Sequence, residues 1–220
     1  MPKDFEPHRH NLRQLRVESY RGLVFGTFSE TVEPLDAYIG PQTRPYVDRI
    51  FHKPIVYLGC TRQYSDSNWK LYMENIKDPY HASLLHVFFA TFGIFRVGMK
   101  GRCIPDEAHG PHSAVFTAQG TEDANTTAYK SQKIRSYDER FRLEDDSILA
   151  LKPEYEEVAT IHIQSIFPQL VIQQIHNTLV ARRVLLKGPD HYELVFHFFG
   201  YEDDNRSSRC RAPRRTSREA

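Results

Sequence analysis

Alternation with period two, sustained over much of the stretch from Thr160 to Tyr201, limits the fold of this chain more than any other feature. Thr160-Ile161-His162-Ile163-Gln164-Ser165-Ile166-Phe167 switches sides residue by residue, as a strand with two different faces does. A long run from Leu170 to Leu186 follows, Lys187-Gly188-Pro189-Asp190 supplies a turn, and Tyr192 to Tyr201 forms the return strand. This pattern predicts an antiparallel hairpin or meander. Upstream, Leu15, Val17 and Leu23-Val24-Phe25, punctuated by Gly22 and Gly26, predict strands, and a short helix is expected over Leu35 to Ile39. Phe51 to Leu58 and Tyr64 to Trp69 read as further strands. Between Trp69 and Phe88 the period changes to that of a helix, with Asp78 as N-cap and Pro79 in the first turn of its second part. Residues 100–147 read as loops, with a helix near Ser131 to Arg142. The fold class is therefore α+β, an antiparallel sheet wrapped on helices.

Composition narrows the function classes. With 40% hydrophobic and 26% charged residues the 220-residue chain suits one folded domain rather than a disordered one. Its 29 basic and 28 acidic residues leave no electrostatic footprint for nucleic acid or an anionic membrane. No apolar run is long enough to span a bilayer and no export signal stands at the N-terminus, so the cytoplasm is the expected location. Cys60, Cys103 and Cys210 form neither a disulfide framework nor a zinc pattern.

The chemistry is concentrated in Asn68-Trp69-Lys70-Leu71-Tyr72-Met73-Glu74-Asn75-Ile76-Lys77-Asp78-Pro79-Tyr80-His81-Ala82-Ser83-Leu84-Leu85-His86. Imidazole suits iron(II), and two His with one carboxylate leave a metal face open for oxygen. Asp78 lies three residues before His81, within reach of its ring on a helix. His86 is five residues past His81, about 140° away around an ideal helix, so convergence on one ion needs a break between them. Spacing alone leaves open a plainer reading, in which Asp78 caps a helix, His81 sits in the core and His86 at the surface.

The same stretch resembles the motif of Rieske non-haem iron ring-hydroxylating oxygenase large subunits: Asn-Trp-Lys, a Glu-Asn pair, Asp-x-Tyr-His and a second His five residues on. Leu15 to Phe28 is similar to the strand region that closes the Rieske domain of that family, and Ile172 to Glu202 to the sheet of its catalytic domain. The resemblance covers roughly residues 5–204 and lies nearest to enzymes of aromatic acids such as anthranilate or salicylate. It implies His81 and His86 as two ligands of a mononuclear iron(II), Asp78 as the acidic bridge from a neighbouring subunit's Rieske cluster, and Asn75 in support. It also implies an aromatic substrate and oxygen, electrons from a reductase or ferredoxin, and a trimer of large subunits, with or without a small β subunit.

The chain departs from the family pattern in three ways. No cysteine stands in the Cys-x-His or Cys-x-x-His arrangement that a 2Fe-2S Rieske centre requires. The family's third iron ligand, an aspartate, is not matched, since Asp203 and Asp204 correspond to the acidic patch before it. Residues 206–220 hold six arginines and no large apolar side chain, as an unstructured or out-of-frame tail would. The expected organisation is a Rieske-domain remnant and linker over 1–40, a partial catalytic domain over 41–205 and the tail beyond, inactive on its own.

Two alternatives follow from other classes. A helix-grip sheet can hold an aromatic ligand without metal. A zinc hydrolase would place its histidines four apart beside a Glu, unlike His81 and His86. His162, His176 and His197 fall in strands, where core or solvent-facing roles are expected; His109 and His112 fall in a loop. Arg182-Arg183 offers a cation to a substrate carboxylate, with alternation sending one of the pair to solvent.

Overall fold

The computed structural model describes residues 5–96, 99–107, 110–118, 131, 143–152, 154–157 and 159–204. Strands β1 (Arg16–Tyr20) and β2 (Leu23–Thr27) form a hairpin, and Arg21 and Gly22 at its tip both have positive φ, as a two-residue turn that follows strand twist requires. Helices α1 (Leu35–Ile39) and α2 (Arg44–Ile50) follow. The hairpin is tied to them by Glu18, which accepts from the Leu35 N–H at 2.9 Å, and by Asp48, which accepts from Tyr20 at 2.7 Å and Arg21 at 2.6 Å.

The body is one antiparallel seven-stranded sheet in the order β3 (Ile55–Ser65), β9 (Tyr192–Tyr201), β8 (Thr178–Leu186), β7 (Leu170–Ile175), β6 (Ala159–Ile166), β5 (Ser113–Ala118) and β4 (Gly101–Pro105). Its centre is the meander that alternation predicts. The two faces of that centre are covered differently. Ile166, Ile172, Leu179, Phe199 and Tyr201 pack under Leu35, Ile39, Val47 and Ile50 of α1 and α2. Val171, Val184, Tyr192 and Leu194, on the opposite face, pack against Met73 of α3 (Trp69–Asn75) and Ile76 just after it. Adjacent residues such as Val171 and Ile172 thus serve separate cores, as the two-residue period dictates.

Four expectations need correction. The two strands expected over Phe51 to Leu58 and Tyr64 to Trp69 are a single strand, β3; Phe51 instead caps α2, and Trp69 opens α3. Polar Cys60 to Gln63 hides the continuity because β3 is an edge strand with exposed side chains, bulged at Gly59 where φ is +130°. Helix α2, with Pro45 in its first turn and buried Val47 and Ile50, was not anticipated from its short pattern.

The helical stretch expected over 69–90 is three pieces, α3, α4 (Ala82–Leu85) and α5 (Val87–Thr91). Asp78 is not an N-cap: its Oδ1 accepts from the Tyr80 N–H at 2.7 Å in a turn, because the residue before a proline is pushed out of the helical region.

The loop expected over 100–147 contains β4 and β5. Strand β5 is buried on both faces from Ser113 to Thr117, so it shows no alternation to read. The helix expected at Ser131 to Arg142 lies outside the described residues apart from Ser131, as do residues 206–220 and His109. No helix among the described residues is long and apolar enough to cross a membrane.

Candidate metal centre and its pocket

Asn68 opens α3, its Oδ1 accepting from the Lys70 N–H at 2.9 Å. The helix frays through Ile76 and Lys77 to Asp78, and Pro79 prevents its continuation. Winding resumes for one turn at Ala82, with His81 immediately before it, and is interrupted again at His86, where ψ is 76°. That second interruption supplies the break that five-residue spacing demands. The two rings meet edge to face with centroids 5.0 Å apart and Nε2 to Nε2 at 3.1 Å.

Asp78 and Asn75 both reach His81. Asp78 Oδ2 lies 3.3 Å from His81 Nδ1, within ion-pair distance, although no hydrogen bond is aligned on that nitrogen. Asn75 Nδ2 is 3.2 Å from His81 Nε2. His86 stands largely at the surface, yet partial desolvation of its ring, then the neighbouring His81 and Arg182, hold its pKa below the ordinary imidazole range, which favours the neutral form that can give a lone pair to a metal.

The pair faces a cavity of about 340 Å³, the size of a small-ligand pocket. Its roof is Tyr72, Asn75, Ile76, His81, His86 and Phe89; its floor comes from six strands through Gln63, Thr117, Ile161, Ile163, Ile175, Arg182, Leu194 and Phe196. The floor is mainly apolar. Arg182 is its charged member, donating from Nη1 to the Tyr72 hydroxyl at 2.8 Å and lying 5.3 Å from the Phe196 ring centre. Its Nε is buried without a hydrogen-bond partner, and among the described residues it forms no ion pair. Alternation places Arg183 on the other face, exposed, which settles which of the two arginines meets the pocket.

The donor set fits one first-row metal ion in part. Two imidazole nitrogens bound at about 2.1 Å and at right angles would stand about 3 Å apart, and the observed separation is 3.1 Å. No group of three His, Cys, Asp or Glu that could hold a metal occurs among the described residues, so two donors of the site are assembled rather than three. A 2Fe-2S cluster does not fit. Cys60 and Cys103 are free, exposed and on β3 and β4, the opposite edges of the sheet.

Residues 52–220 match the family described as ring hydroxylating alpha subunit, catalytic domain. The chain belongs to that family. It is 69% identical over 204 residues to the anthranilate 1,2-dioxygenase large subunit of Burkholderia cepacia, covering 93% of this chain and 48% of that protein. It is 44% identical to terephthalate 1,2-dioxygenase terminal oxygenase component subunit alpha 2 of a Comamonas species, over 95% of this chain and 50% of the relative. Salicylate 5-hydroxylase, large oxygenase component, of a Ralstonia species is 37% identical over 93% and 48%. The chain spans about half the length of the curated relatives it matches. Among solved structures, naphthalene 1,2-dioxygenase from a Rhodococcus species, bound to indole, superposes with a TM-score of 0.62 at 20% identity, over 86% of this chain and 46% of that one, a likeness of fold.

Other histidines of this alpha-subunit domain lie apart from the pair. His162 is fully buried on the α2 face, and burial, aided by nearby Arg49, pushes its pKa down to about 3. His176, expected in a strand, sits in the turn between β7 and β8 with φ of +48°; its pKa and that of His197 in β9 are also lowered, chiefly by burial. His112, expected in a loop, is buried just before β5; its Nδ1 accepts from the Phe167 N–H at 3.0 Å, so Nε2 carries the proton donated to the Tyr38 carbonyl at 2.8 Å. The sequence pattern alone does not mark Tyr72, Gln63 and Phe196 as site residues. The helical offset of Tyr72 from Asn75 is the one signal that would have found any of them.

Proposed function

We propose that this chain supplies the oxygen-activating and substrate-holding part of an aromatic-acid ring hydroxylase, with His81 and His86 as two ligands of a mononuclear iron(II). The 3.1 Å approach of their Nε2 atoms at the mouth of the cavity carries the reading. When bound, iron(II) supplies dioxygen activation for hydroxylation of an aromatic ring. Asp78, beside Nδ1 of His81, favours the tautomer that keeps the proton there and leaves Nε2 free to bind. Asn75 Nδ2 reaches that same Nε2 in the metal-free chain and would give it up to the ion. Ile163, Leu194, Phe196 and Phe89 surround a ring-sized space and exclude water from it.

Arg182 is the anchor for the substrate carboxylate. A guanidinium with a buried unpaired N–H in an apolar pocket is costly unless an anion completes it. The relatives named for anthranilate, terephthalate and salicylate act on rings that each bear a carboxylate. We further assign residues 1–40 to the end of a Rieske domain and its linker, and 41–205 to the catalytic domain. Electrons would come from a Rieske 2Fe-2S cluster on a neighbouring subunit by way of Asp78, supplied by a reductase or ferredoxin, within a trimer of large subunits with or without a β subunit.

The test is anaerobic titration of the 220-residue chain with iron(II). One ion per chain is expected, with uptake lost in both His81→Ala and His86→Ala; unchanged uptake in either variant would overturn the ligand assignment. Given a competent reductase and an aromatic acid, this chain alone should make no product, and turnover above the His81→Ala background would refute that. A metal-free binding role is the reading favoured if aromatic acids bind indifferently to chelator and to His86→Ala.

A further inference from the structure

Resting on that carboxylate reading, we infer that Tyr72 is a second anion-binding and specificity-determining residue of the pocket, its phenol donating to the same ring carboxylate that Arg182 meets. Three observations carry the inference. The Tyr72 oxygen already accepts from Arg182 Nη1 at 2.8 Å, so the phenolic hydrogen must point elsewhere, and it has no acceptor among the described residues. Both side chains line the cavity, and among the described residues no other Lys or Arg does. Burial raises the Tyr72 pKa, so the hydroxyl keeps its proton through neutral pH and beyond and acts as a donor there.

The placement on α3 adds a geometric consequence. Tyr72 and Asn75 are three residues apart on one helix face, and Asn75 reaches His81 at 3.2 Å. One short helix therefore carries the phenol at one end of the pocket and a contact to the histidine pair at the other. The separation between carboxylate anchor and histidine pair is then set by α3, and it dictates which ring edge faces the two imidazoles. A neutral aromatic of the same shape would leave both the guanidinium and the phenol without their anion and bind more weakly.

The experiment measures binding of benzoate and of its neutral isostere benzamide to the 220-residue chain by calorimetry. The unmodified chain should prefer benzoate. Tyr72→Phe should weaken benzoate by about 10- to 100-fold, the value of a hydrogen bond to a charged group, and leave benzamide unchanged. Arg182→Met should abolish the preference. If Arg182→Met loses benzoate while Tyr72→Phe binds it as before, the Tyr72 role is overturned and the carboxylate reading stands. If Arg182→Met keeps the preference, the underlying reading itself falls. Equal losses for benzoate and benzamide in Tyr72→Phe would mark a packing role and overturn the inference. Should Tyr72→Phe fail to fold, the unmodified chain labelled with carbon-13 at tyrosine Cζ decides: benzoate should move one Cζ resonance and benzamide none, and no movement with benzoate overturns the assignment.

Discussion

The two faces of the central sheet bury histidine to opposite ends. Under α2, His162 is sealed between Tyr46 and Phe116, with ring centres 5.4 and 6.2 Å away, and neither of its nitrogens has a hydrogen-bond partner. On the α3 side His81 and His86 are less enclosed, yet their nitrogens converge at 3.1 Å beside a carboxylate and a cavity. The more deeply buried and more strongly perturbed imidazole is therefore the one with nothing to act on. Perturbation by burial alone marks packing; perturbation together with convergence and access marks a site.

This contrast can be broken experimentally. The largest effect belongs to the packed face, where Ile172→Ala should cost about 2 to 5 kcal/mol of stability, read from denaturant midpoints. A loss well under that range would mean the α1–α2 core is not the dominant one. Next comes His162. Its folded pKa of about 3 lies below the unfolded value near 6.5, so the folded state binds fewer protons between those limits. Stability is complete above pH 6.5 and falls by up to about 1.4 kcal/mol per unit as pH drops toward 3. His162→Phe should flatten that dependence, and an unchanged slope would relocate its origin.

On the open face the expected effects on folding are small. His86 is exposed, so His86→Ala should change metal-free stability by no more than about 0.5 kcal/mol while removing iron uptake. A large destabilisation there would make His86 a structural residue and erase the contrast. Smallest of all is Lys53→Gln, which breaks an exposed 2.9 Å pair with Asp203 and should leave the unfolding midpoint where it was.

How much was legible follows the same division. Strands β6 and β9 are readable because one residue in two faces a different environment, and the turn at Lys187 to Asp190 interrupts that rhythm; the single run expected from Leu170 to Leu186 is two strands, β7 and β8, folded at His176 and Asn177, where no Gly or Pro marks the turn. Strands β4 and β5 are not readable, since double-sided burial erases the alternation and Gly101 and Pro105 imitate a loop. The cluster of Asn75, Asp78, His81 and His86 was visible as a motif, while the break that makes it converge depends on backbone angles at His86 that spacing does not encode. Arg182 and Arg183 were indistinguishable until cross-strand register placed the former beside Phe196 and the latter beside Val195. Gln63, Thr117 and Phe196 belong to the pocket only through pairing of strands far apart in sequence.

The brevity of α4 and α5 has a dynamic consequence. They are four and five residues long, α4 buries none of its residues, and Leu84, Leu85 and Val87 are each more than half exposed. Segments so short gain little from their own hydrogen bonds and here have little packing to compensate. An ion gripped by His81 and His86 would cross-link the start of one segment to the start of the next, acting as a staple where α4 buries no side chain and α5 only Ala90. Loading should then slow backbone amide exchange across residues 81–91 far more than anywhere in the sheet.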